Sequence, residues 1–108
     1  MRDYIHVRDL ADLHLKILLK VNSTNKSIVL NCGYGKGFSV KEVAERFKEI
    51  INKNIKIQYK DRRIGDMEEI VADVKKLNLY LKWKPKFNNL DKIITNCIEW
   101  EKKLKKIY

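Results

Sequence analysis

RDYIHVRDLADLHLK (residues 2–16) alternates like a strand in its first half and then changes period. From Asp9 onward, Leu10, Leu13, Ile17, Leu18 and Val21 recur at helical spacing, and Asn22-Ser23-Thr24-Asn25 stops the helix. A strand running directly into a helix predicts an α/β unit. Its head is a dense polar group, Arg2-Asp3-Tyr4, which few domains place at their first ordered residues. Those three side chains either begin a domain or continue one.

Outward from this stretch the same signals repeat. SIVLN (27–31) is a short β-branched run that predicts a buried strand. CGYGKGF follows, with three glycines in five positions, and leads to Ser39 with Glu42 three residues on, a capping box in which each side chain serves the other's free backbone N–H. Val40, Val43, Ala44, Phe47, Ile50 and Ile51 then form one helical stripe. IKIQY (55–59) alternates as a half-buried strand, DRRIGD is a charged turn, and EIVAD (69–73) predicts another short extended piece. Asp73 can cap a brief helix through Leu77 and Leu81. Pro85 disfavours helix just before it, and Leu90, Ile93, Ile94, Cys97, Ile98 and Leu104 describe a last amphipathic helix. The expectation is a small mixed α/β unit of about four helices and several short strands, residues 1–108 forming one domain.

Composition narrows the function classes. No apolar run approaches the ~20 residues of a membrane span, and the charged N-terminus carries no secretory signal. Cys32 and Cys97 sit in apolar surroundings without CxxC spacing, which predicts two buried, reduced thiols in a cytoplasmic protein with no metal site. The net charge of +10 invites a nucleic-acid reading, yet only five of the 24 basic residues are arginines. Abundant Lys, Ile and Asn together are what an AT-rich genome produces whatever the function, so nucleic-acid binding is the weakest reading.

Four stretches could carry chemistry. GYGKG lacks the third glycine of a dinucleotide loop, Phe38 standing in its place, and no Gly-Lys-Ser/Thr closes it as in a P-loop. Glycines turning the chain sharply into a capped helix are the simpler reading. Tyr80-Leu-Lys-Trp-Lys84 has Tyr-x-x-x-Lys spacing, but Lys84 directly precedes Pro85, so the pair should not share a helix face. His6 and His14 have no carboxylate or cysteine at ligand spacing; one is expected inside and the other on a helix surface. DRRIGD is different: adjacent arginines and Asp66 in one turn can offer a guanidinium fork for a phosphate and a carboxylate for sugar hydroxyls. A surface turn of offsetting charges is the competing reading.

Taken in order, RDYIHVRDLADLHLK, NCGYGKGFSVKEV, RRIGDMEEIVAD and LNLYLKWKPKF resemble the carboxy-terminal third of UDP-glucose 4-epimerases, within the extended short-chain dehydrogenase family. IEWEKK is similar to the family's closing Trp-containing helix. The resemblance implies a substrate-binding (nucleotide-sugar) domain, truncated on its N-terminal side and lacking the Rossmann domain. It implies that Arg2 and Arg63 hold the UDP diphosphate, that Tyr4 lies in the Arg2 segment, that Asp66 accepts from ribose and that Val40 lies near the nucleotide. An often aromatic family position aligns with Ile70. In the intact family, NAD takes a hydride from C4 of the sugar and a Tyr-x-x-x-Lys pair moves the proton; both belong to the domain not represented here, so this chain is expected to have no catalytic or cofactor-binding residue. The resulting expectation is a truncated epimerase of galactose metabolism, inactive alone, which binds UDP-sugar weakly. The alternative is a free-standing or split-enzyme UDP-sugar module, with a separately encoded NAD-binding domain or self-association as its partner.

Overall fold

The computed structural model describes residues 1–107 and contains four helices: α1 (Val7–Thr24), α2 (Val40–Ile51), α3 (Lys75–Tyr80) and α4 (Leu90–Ile107). Each boundary has a local cause. His6 caps α1, its Nδ1 accepting from the Arg8 N–H at 3.0 Å, so the helix starts two residues before the apolar periodicity does. Ser39 caps α2 as expected: its Oγ accepts from Glu42 N–H at 3.0 Å and Glu42 Oε2 accepts from Ser39 N–H at 2.6 Å. Both α1 and α2 end on an asparagine in the left-handed region, Asn25 (φ 54°) and Asn52 (φ 55°). Asparagine tolerates that conformation better than other residues with a Cβ, which lets the chain turn away. Asp73 Oδ1 accepts from Lys75 N–H at 3.1 Å at the start of α3, and Asn89 Oδ1 accepts from Lys92 N–H at 3.2 Å at the start of α4.

The core is narrow. Leu13 of α1 is fully buried against Leu77 of α3 and Trp83, with Ile5, Ile17, Leu30, Cys32, Tyr34, Val74 and Leu81 packed around them. A second contact joins α2 to α4, where Arg46 Nε donates to Asp91 Oδ1 at 2.9 Å and its Nη2 donates to Asp91 Oδ2. Ile94 is buried on α4. The radius of gyration is 17.0 Å, against about 13 Å for a compact domain of this length. Large apolar side chains are correspondingly exposed, among them Val7, Leu15, Leu18 and Leu19 along one side of α1.

The expected strands do not form ladders. Among the described residues the only β pairing is two isolated bridges, both through Arg2: antiparallel to Phe38 and parallel to Ile70. SIVLN is neither a strand nor buried throughout, since Val29 is 82% exposed. Ile55 and Ile57 are half-buried with Lys56 and Gln58 outward, but Tyr59 is exposed, so IKIQY keeps its two faces only as far as Gln58. EIVAD contributes only the Ile70 bridge. Alternation decides which side of a segment meets apolar neighbours; a strand needs a second backbone at ladder distance. Among the described residues these segments have none beyond Arg2.

Candidate functional site

Arg2 lies between two segments. Its backbone N–H donates to Phe38 O at 2.9 Å and its carbonyl accepts from Phe38 N–H at 2.8 Å, while Met1 O accepts from Ile70 N–H at 2.9 Å. The Arg2 guanidinium folds back onto main-chain carbonyls, Nη1 to Met1 O at 2.8 Å and Nη2 to Met67 O at 2.9 Å. That second bond matters, because Met67 follows Asp66 directly. The turn carrying Arg63 and Asp66 is thereby tied to Arg2 across 65 residues of sequence.

Within the turn, Asp66 N–H donates to Arg63 O at 3.2 Å and Gly65 takes φ 86°. Arg63 Nε donates to Asp66 Oδ2 at 3.0 Å. The Arg63 side chain is 87% exposed, and its two terminal nitrogens have no protein partner among the described residues. Arg62 Nη2 instead faces Glu68 Oε1 at 3.3 Å. Val40, the first residue of α2, is exposed two positions after Phe38, and Tyr4 is half-buried two positions after Arg2. The structure therefore brings Arg2, Arg63 and Asp66 to one locality, with Val40 leaving from the segment bridged to Arg2. No hydrogen bond joins Tyr4 to this group. Ile70 is exposed beside it and, with Arg2, Asp3, Asn31 and Cys32, lines an open groove of about 610 Å³. Burial raises the Cys32 thiol pKa, which disfavours the thiolate; Cys97, expected to be buried as well, is exposed on α4.

The other sequence candidates resolve clearly. GYGKG is committed internally: Tyr34 N–H and Gly35 N–H both donate to the Asp3 carboxylate, at 3.1 and 2.9 Å. A dinucleotide loop keeps such amides for a pyrophosphate, so this loop does not fit one. Tyr80 ends α3 and Leu81 is extended (φ −131°, ψ 136°), so Tyr80 and Lys84 share no helix face. His6 is buried, its Nε2 paired with Asn96 Oδ1 at 2.8 Å, whereas His14 is exposed and bonds Leu10 O.

Sequence reasoning missed two carboxylates. Asp9, 2% exposed, accepts from the Tyr34 hydroxyl and from the N–H groups of Lys86 (2.9 Å) and Phe87 (3.0 Å). It fastens α1, the glycine loop and the loop before α4. Burial, helped by Asp9, pushes the Tyr34 pKa up to about 12. Asp3 performs a similar service for the glycine loop, and its Oδ2 also accepts from Ala72 N–H at 3.4 Å. The available signal was one aspartate within the Arg2-Asp3-Tyr4 cluster and another beside Leu10, neither required by the local pattern.

No protein-family model matches the chain. It is 40% identical over 104 residues to a UDP-glucose 4-epimerase of Azospirillum brasilense, covering 96% of this chain and 30% of that protein. A UDP-glucose 4-epimerase of Lactobacillus helveticus is 39% identical over all 108 residues, 33% of its own length. A UDP-arabinose 4-epimerase of Arabidopsis thaliana is 41% identical over 102 residues, 94% of this chain and 24% of that protein. The structure of the UDP-Glc/GlcNAc 4-epimerase from Campylobacter jejuni superimposes with a TM-score of 0.84 at 39% identity, covering 94% of this chain and 31% of that one. The chain thus spans about 30% of the length of the bacterial relatives it matches. In sequence and in structure it corresponds to the carboxy-terminal part of UDP-glucose 4-epimerases, of the extended short-chain dehydrogenase family.

Proposed function

We propose that residues 1–108 form the substrate-binding part of a UDP-sugar 4-epimerase, with Arg2 and Arg63 directed to the diphosphate. One observation carries this reading: Arg2 Nη2 donates to Met67 O at 2.9 Å, which places one guanidinium against the turn bearing the other. Two cations at one locality suit two adjacent phosphoryl groups. Arg63 keeps its terminal nitrogens for a ligand, and Asp66 Oδ2 orients it through Nε while Oδ1 stays open to a ribose hydroxyl. Val40 and Tyr4 flank the locality as apolar and aromatic surface for the nucleoside. The relatives act on different UDP-sugars, so the shared chemistry is the UDP moiety, and Ile70 offers no aromatic face to the sugar.

The hydride step belongs to NAD and to a cofactor domain that these residues do not supply. In this reading the chain works with such a domain, or associates through the exposed side of α1, and acts in the cytoplasm. The chain alone, given NAD, shows no conversion of UDP-galactose to UDP-glucose in a coupled assay; turnover above a heat-killed control contradicts this. NMR titration with UDP tests the site itself. Each charge-assisted hydrogen bond contributes roughly 1.5–3 kcal/mol, so Arg63→Ala is expected to weaken UDP binding by about tenfold or more. Equal shifts in both proteins overturn the assignment of the turn as the phosphate site.

A further inference from the structure

We propose that Asp3 is a positioning residue for this nucleotide site, setting where the Arg2 guanidinium stands relative to the Arg63–Asp66 turn. The inference rests on the UDP-site reading above. Asp3 is placed between the same two segments that flank Arg2, one residue further along. On one side its carboxylate accepts from Tyr34 N–H and Gly35 N–H, at 3.1 and 2.9 Å; on the other it accepts from Ala72 N–H at 3.4 Å. No lysine or arginine among the described residues pairs with it. Its charge is spent on backbone N–H donors, an arrangement that fixes main chain rather than side chains.

The packing around it leaves no slack. A Cβ added to Gly33 would stand 2.6 Å from Asp3 Oδ2 and 2.9 Å from Ala72 Cβ. One at Gly37 would stand 2.7 Å from Val71 Cγ2 and 2.8 Å from Met1 Cγ. The glycine loop and residues 70–72 therefore close on residues 1–3 from both sides, at distances only glycine permits. Arg2 is bridged to both closing segments, through Phe38 and Ile70, so it is the contact this clamp sets most directly. Releasing Asp3 frees the loop and the 70–72 segment to shift against Arg2, and a small misplacement of a charged fork costs affinity steeply.

The test is a double-mutant cycle read by UDP titration on the 108-residue chain: wild type, Arg2→Ala, Asp3→Asn and the double variant, with thermal unfolding of each. Asparagine keeps the shape but sets an amide NH₂ against the N–H donors. Asp3→Asn is expected to weaken UDP binding roughly tenfold, and to cause no further loss once Arg2 is already alanine, because Asp3 acts through Arg2. General loosening of the fold would instead add to the Arg2→Ala loss. Wild-type affinity in Asp3→Asn, or fully additive losses, overturns the inference while leaving the UDP site standing. Absence of UDP binding by the wild type, with Arg63→Ala indistinguishable from it, overturns the UDP-site reading and this inference with it. Should Asp3→Asn fail to fold, Gly33→Ala takes its place in the cycle, since its methyl group presses on Asp3 Oδ2. The same tenfold, non-additive loss is expected, and unchanged binding overturns the proposal.

Discussion

Two regions of this molecule carry the proposed site, and they are held in opposite ways. Around residues 1–13 and 33–38, buried and half-buried groups bond to segments far away in sequence: buried Asp9 to Lys86 and Phe87, buried His6 to Asn96, and half-buried Asp3 to Tyr34 and Ala72. Residues 61–69 are exposed throughout, and their side-chain bonds are local, Arg63 to Asp66 and Arg62 to Glu68. Arg2 belongs to the first region and Arg63 to the second, with Met67 O as their link. The proposed phosphate-binding pair, divided in this way, has one arm fixed before ligand arrives and one arm free to close on it. The order of the fixed arm comes from hydrogen bonds to distant segments; that of the free arm is left to the ligand.

Substitutions that separate the two regions should therefore differ widely in effect. Asp9→Ala leaves the Tyr34 hydroxyl and two main-chain N–H groups without their acceptor. Denaturant unfolding should show a loss of about 3–5 kcal/mol, and a loss below about 1 kcal/mol would mean the buried network is replaceable. The same network predicts a pH response. Tyr34 has a folded pKa of about 12, above its ordinary value of 10, so the folded state holds that proton more tightly. Its contribution is complete below pH 10 and disappears as pH rises towards 12. Tyr34→Phe should abolish this alkaline component of unfolding and remove the late step from an ultraviolet phenolate titration.

Leu13→Ala, in the core above α3, should cost about 3 kcal/mol through lost burial and the cavity left behind. Ser39→Ala removes the α2 cap and should cost about 1 kcal/mol, read as a lower unfolding midpoint. Gly65→Ala, on the exposed side of the comparison, meets no atom within 4 Å yet sits at φ 86°. It should cost about 1 kcal/mol from backbone strain alone, and show its larger effect on UDP titration by reshaping the Arg63 turn. Ile64→Ser, fully exposed in the same turn, should change stability by no more than about 0.5 kcal/mol. A loss comparable to Leu13→Ala would show that the turn is as firmly held as the core, and the contrast between the regions would fail.

Much of the helical architecture was legible because its causes are local. The Leu10–Val21 stripe, the Ser39–Glu42 capping box and the stop before Pro85 each act within one or two turns and appear where the spacing places them, whereas α1 runs on through Asn22, Ser23 and Thr24 and stops only at Asn25. Pro85, directly after Lys84, also excluded Tyr80 and Lys84 as a helical pair. The polar head Arg2-Asp3-Tyr4 was visible as a cluster, and the Arg63–Asp66 turn as a guanidinium beside a carboxylate. Resemblance to UDP-glucose 4-epimerases was legible as well, because four motifs keep their order and spacing.

What only tertiary structure decided concerns partners. SIVLN and IKIQY have the residues of strands, but pairing depends on a second backbone that no local pattern can place, and among the described residues only Arg2 bridges two segments. Asp3 and Asp9 look in sequence like solvated charges. They are structural because N–H groups 31 to 78 residues away converge on them. His6, an unusual cap by residue type, is fixed by Asn96 at a separation of 90 residues. Local propensity and apolar period determined where the helices run; long-range hydrogen bonding, whose strength depends on excluding water, determined which charges build the frame and which remain for a ligand.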